Sequence, residues 1–116
     1  MSRDPLQPEK CARLLAALAA PERLKIVRLL TGGAHNVTQI AGAAGVKPLN
    51  VSHHLSVLKG AGLIRARRRG RFVEYSLSPG VLEEALDAGV PKEALNLGCC
   101  RLELPSPVGD RTEGTV

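Results

Sequence analysis

The sequence predicts a mainly α domain with one small β-hairpin, and three observations carry that expectation. The chain has 116 residues, the size of one ordinary domain. Its hydrophobic share is 44%, yet it holds one Phe, one Tyr and no Trp, so the core is aliphatic and suits helices better than a sandwich. Apolar residues recur at helical spacing as far as Ala61, and then at a period of two around Arg68-Arg69-Gly70-Arg71.

Each element follows from local residues. Cys11, Leu14, Leu15 and Leu18 predict a first helix over residues 8–19, in an alanine-rich stretch. Pro21 breaks it and opens a second, whose stripe is Leu24, Ile26, Val27 and Leu30 and whose stop is Gly32-Gly33. Thr38 is the expected cap of a short third helix through Ala44 that turns Ile40 and Ala41 inward, and Gly45 ends it. A fourth helix over residues 48–61 buries Val51, Leu55 and Leu58 and stops at Gly62. The runs 63–67 and 72–77 read as the strands of a hairpin, with Gly70 supplying a positive φ at its tip. Leu82 and Leu86 predict a last helix over residues 81–88, and residues 95–104 an extended strand with a bulge at the adjacent cysteines. Residues 1–5 read as a flexible N-terminus, 6–104 as one domain, and 105–116, rich in Pro, Gly and polar residues, as a disordered tail.

The formal charge of +5 is concentrated in one place. Residues 47–74 carry Lys47, Lys59, Arg65, Arg67, Arg68, Arg69 and Arg71 against Glu74, a net +6 that leaves −1 for the rest. Five arginines within seven residues repel one another unless an anion is near, which marks a surface for nucleic acid or acidic lipid. A hairpin offers little apolar area to insert into a bilayer, so no membrane partner is expected. No apolar run reaches the roughly 18 residues needed to cross a membrane. The first residues lack the apolar centre of a signal peptide, so a cytoplasmic location with reduced thiols is expected and a disulfide scaffold is not. The chain has no P-loop, no HExxH and no separated Ser, His and Asp set, so an enzyme is not expected.

Two short helices joined by a tight turn and followed by a basic hairpin form a winged helix-turn-helix, whose second helix can enter the major groove of double-stranded DNA. At about 100° per residue, His53 faces away from the Val51, Leu55 and Leu58 stripe. Asn50 and Ser52 flank that outward face, and Leu49 and Ser56 share it. His54 lies closer to the stripe and is expected to be partly buried and bonded to a neighbour. The expected DNA contacts are therefore Lys47, Leu49, Asn50, Ser52, His53 and Ser56 on the helix, with Arg67, Arg68, Arg69 and Arg71 on the wing.

Pro21-Glu22-Arg23-Leu24-Lys25-Ile26, followed by Val51-Ser52-His53-His54-Leu55-Ser56-Val57-Leu58 and Ala61-Gly62-Leu63-Ile64, resembles the ArsR/SmtB family of dimeric winged-helix repressors over residues 6–88. The resemblance implies a homodimer joined through the first and last helices, bound to an operator of twofold symmetry and released by an inducer. By the same resemblance Ser52 and His53 match a base-contacting pair, while Pro48 stands where members often carry a polar DNA-reading residue. Members sense a thiophilic metal, arsenite or an oxidant, but two of the family's sites are missing. Asn36-Val37-Thr38 replaces the third-helix cysteine pair, and residues 81–88 contain no histidine for the last-helix zinc site.

Cys11, Cys99 and Cys100 remain as candidate ligands. Three thiolates suit As(III) or Sb(III) as inducer, and soft divalent metals as well. The same residues also read as small hydrophobes in apolar surroundings, or as a redox pair. No other cofactor is implied. His35, in a Gly and Asn loop, reads as solvent-exposed. The alternatives to an inducer-released repressor are a thiol redox sensor, a regulator that needs no ligand, and a winged helix used only for protein contacts, whose mark is weak, salt-insensitive DNA binding.

Overall fold

The computed structural model describes residues 4–87 and 90–105. Four helices come first: α1 (Pro8–Leu18), α2 (Pro21–Leu30), α3 (Val37–Ala44) and α4 (Pro48–Gly60). Proline stands in the first turn of α1, α2 and α4, where its missing N–H has no intrahelical partner to lose. The cap of α3 differs from expectation. Asn36, not Thr38, accepts from the Gln39 amide while the Gln39 side chain accepts from the Asn36 amide, a reciprocal capping box that starts the helix one residue before Thr38.

The helices close on one aliphatic core in which Ile26, Ile40, Val51 and Leu58 are fully buried. On α1 the buried arc is centred on Leu14 and takes in Cys11, Ala17 and Leu18, which leaves Leu15 at its edge and 41% exposed. Leu24 of α2 lies outside its buried arc in the same way and is 42% exposed. The α4 stripe of Val51, Leu55 and Leu58 is buried as its spacing predicts.

A three-stranded antiparallel sheet follows, in the order β1 (His35–Asn36), β3 (Phe72–Leu77), β2 (Ile64–Arg69). The wing is longer than expected. Arg69 pairs with Phe72, so Arg68 and Arg69 are strand residues and only Gly70 and Arg71 form the loop. Gly70 has φ +63° and Arg71 does not take a positive φ, the pattern of a type II′ hairpin loop, which needs glycine at its first position. The short β1 pairs His35 with Tyr75. His35 is consequently half-buried rather than exposed, with its Nδ1 2.8 Å from the Gly33 carbonyl.

The C-terminal part overturns two expectations. The described part of the expected helix 81–88, residues 81–87, is not helical: β4 (Leu82–Asp87) pairs with β5 (Val90–Asn96), and β5 with β6 (Arg101–Leu104), while residue 88 lies outside the described residues. A helix of eight residues is marginal alone, and here the backbone finds an antiparallel partner instead, with Leu82 opposite Leu95. Residues 95–104 are likewise two strands around a turn at Gly98, whose φ is +88°, and not one bulged strand. The central strand β5 buries Ala94 and Leu95 in succession, and Leu97 follows into the core. The Arg101 guanidinium and Glu83 carboxylate join the two outer strands. Of the residues expected to be a flexible N-terminus and a disordered tail, only 4, 5 and 105 are described.

Candidate nucleic-acid interface and thiol cluster

Between α3 and α4 lie only Gly45, Val46 and Lys47, and Gly45 takes the left-handed φ of +69° that reverses the chain. This tight turn sets α4 across α3, anchored by its buried stripe. The opposite face of α4 is open: Lys47, Leu49, Asn50, Ser52, His53 and Ser56 are all exposed, Leu49 by 83%. His54 is half-buried, and its Nδ1 lies 3.2 Å from Arg23 Nη1, as the helical geometry predicts for a histidine beside the core.

On the wing, Arg67, Arg68, Arg69 and Arg71 are exposed. They do not project together. Strand alternation puts Arg65, Arg67 and Arg69 on one face and Arg68 on the other with Ile64 and Ala66, while Arg71 sits in the loop. Arg65 is equally exposed and shares the Arg67 face, so it joins the basic surface although it was absent from the expected contacts. Period-two counting from Arg67 would have found it. Arg69 has an acidic neighbour, the half-buried Glu74, at 3.9 Å, a long contact open to solvent on the arginine side that holds it only weakly.

The three cysteines, spread from α1 to the turn after β5, meet in space. Their sulfur atoms all lie within 4.8 Å of one another, with Cys11 buried and the other two half-buried. The turn that delivers two of them is shaped by Gly98, whose amide donates to Asn96 Oδ1, and by the Leu97 amide, which donates to the Cys100 carbonyl at 2.9 Å. Cys11 and Cys99 are joined by a disulfide across 88 residues, and Cys100 is a free thiol with its Sγ 3.9 Å from that of Cys99. The expectation of unpaired thiols is therefore corrected. Sequence separation carries no information on which cysteines the fold brings into contact. A cavity of about 130 Å³ beside Cys11 and Cys99 opens between Leu6, Lys10 and Gly98.

Comparison with known proteins fits this geometry. The family model of the bacterial regulatory proteins of the arsR family matches residues 20–66, from the start of α2 into β2. The HTH-type transcriptional regulator NmtR of Mycobacterium tuberculosis is 39% identical over 98 residues, which span 81% of this chain and 82% of NmtR. The chain belongs to the arsR family. A probable mercury resistance operon repressor of Streptomyces lividans is 34% identical over 96 residues, 80% of this chain and 77% of that one. Among solved structures, the homodimeric winged helix-turn-helix DNA-binding domain of Mb0332 from Mycobacterium bovis superposes with a TM-score of 0.59 at 38% identity, covering 61% of this chain and 66% of that domain.

As an arsR-family member the protein is a DNA-binding transcriptional regulator and not an enzyme. Its four helices and wing are those of the winged helix-turn-helix. No helix among the described residues is long and apolar enough to cross a membrane.

Proposed function

We propose that this arsR-family regulator is a homodimeric repressor that reads an operator of twofold symmetry from the cytoplasm and leaves it when a thiophilic ion is captured by Cys11, Cys99 and Cys100. The observation that carries the reading is the open face of α4, with no core duty, beside a wing of exposed arginines. In this reading Asn50, Ser52 and His53 meet base edges, while Lys47, Ser56 and the arginines Arg67, Arg68, Arg69 and Arg71 hold phosphates. Dimerisation sets the two copies of α4 about 34 to 36 Å apart, one DNA turn. The exposed Leu15 on α1 and Leu6 just before it support a seam between copies at α1. The segment 82–87 expected as a helix in that seam is a strand, so it contributes no helical partner.

The inducer assignment rests on donor chemistry. Three sulfurs within 4.8 Å suit As(III), Sb(III) or a soft divalent metal, and the mercury-operon relative supports an ion of this class. Capture would tie α1 to the β5–β6 turn and so alter the spacing of the reading helices. A tenfold loss of operator affinity needs about 1.4 kcal/mol of coupling between the two sites. The Cys11–Cys99 disulfide favours a second reading, in which an oxidant acts on the same residues. Two electrons and two protons must be returned to that bond before three thiols are available to an ion.

Fluorescence anisotropy of the reduced protein on DNA from upstream of its own gene tests the reading. Arsenite is expected to release wild type and to leave a Cys99→Ser, Cys100→Ser variant bound. Release of both by arsenite would remove the cysteines from the mechanism. Release by peroxide alone would favour the redox reading, and absence of binding to any genomic fragment would favour a protein-interaction module.

A further inference from the structure

Leu49 is the most exposed large hydrophobic side chain among the described residues, at 83%, against 53% for Phe72 and 50% for Leu6. The fold makes no use of it. Two residues before Val51, it points about 160° from the buried stripe, and Val51, Leu55 and Leu58 already hold α4 to the core. It stands in the first turn of α4, between Lys47 and the hydrogen-bonding residues Asn50 and Ser52, and one helical turn before His53. Residues at the N-terminal end of such a helix face base edges when the helix lies in the major groove.

A leucine can neither donate nor accept a hydrogen bond, so among base edges it can gain only from an apolar group. The major groove displays one such group, the C5-methyl of thymine. Resting on the DNA-binding reading above, we propose that Leu49 reads a thymine methyl group in each half-site and is a specificity-determining residue of this repressor. Lys47, two residues before Leu49, and the net charge of +6 over residues 47–74 favour a polyanion over an apolar protein partner as what covers it.

The test uses a duplex selected by the wild-type protein from random-sequence DNA, with its thymines replaced one at a time by uracil. Uracil keeps every hydrogen-bonding atom and lacks only the methyl. Wild type is expected to bind roughly fourfold more weakly at one thymine of each half-site, the effect of one buried methyl-sized group. Leu49→Ala should bind thymine and uracil duplexes alike at that position and keep the wild-type salt slope, since it touches no phosphate. Leu49→Met, which retains an apolar side chain, should keep the discrimination, and an unchanged helical circular dichroism spectrum shows that both variants are folded. Indifference of wild type to every replacement, or discrimination undiminished in Leu49→Ala, would overturn the proposal. Failure of wild type to enrich any duplex would overturn the DNA-binding reading itself.

Discussion

Arg23 joins three helices through one side chain. Its Nε donates to the Ala17 carbonyl in the last turn of α1, and its Nη1 meets His54 Nδ1 on α4. Arginine has only donors, so His54 Nδ1 is the acceptor of this contact. Replacing Arg23 by Ala should lower stability by about 1 to 2 kcal/mol, because the Ala17 carbonyl and the histidine nitrogen are deprived of a charged donor. The measurement is a urea titration in which the midpoint falls and the slope is unchanged. An unchanged midpoint would show that water replaces both bonds without cost. The angle of His54 to the buried stripe was legible in the sequence and announced a bonded, half-buried histidine. Its partner was not, since helical period tells which face a residue occupies and nothing of what lies across from it. Cys11 and Cys99 show the same limit over a longer span.

At the scale of elements, the wing is a strand pair that presents charge on both of its faces. A double Arg68→Ala, Arg69→Ala variant removes one cation from each face and should weaken binding to every DNA sequence alike. Its plot of log affinity against log salt should flatten by about one unit for each phosphate that the wing no longer neutralises. A slope equal to that of wild type would remove the wing from the interface. The elements that local rules foresaw are those with strong local signals, namely prolines that open helices, glycines that end them, and a hairpin loop that requires Gly70. The ones missed depend on partners distant in sequence. The two-residue β1 exists only because β3 lies beside it, and residues 82–87, rich in Leu, Glu and Ala, become a strand because β5 supplies a pairing edge that no local rule sees. Arg65 differs, because counting by twos from Arg67 along the expected strand places it on the Arg67 face from the sequence alone.

The whole molecule combines an aliphatic helical core with two appended sheets, one carrying the basic wing and the other returning two cysteines to α1. This arrangement links the three-cysteine cluster to the helix that supports the seam proposed between copies, while the outer face of α4 and the wing arginines are exposed. A formal charge of +5 that is wholly accounted for by residues 47–74 makes ionic strength the sharpest probe of that division of labour. The most direct test is fluorescence anisotropy of the reduced wild-type protein on its selected duplex and on a scrambled duplex, each over about 50 to 200 mM salt. Binding to the selected duplex is expected to be tighter by about a thousandfold or more, with affinity for both falling steeply as phosphate counterions are displaced. Weak binding with no preference between the duplexes and a flat salt dependence would contradict the account.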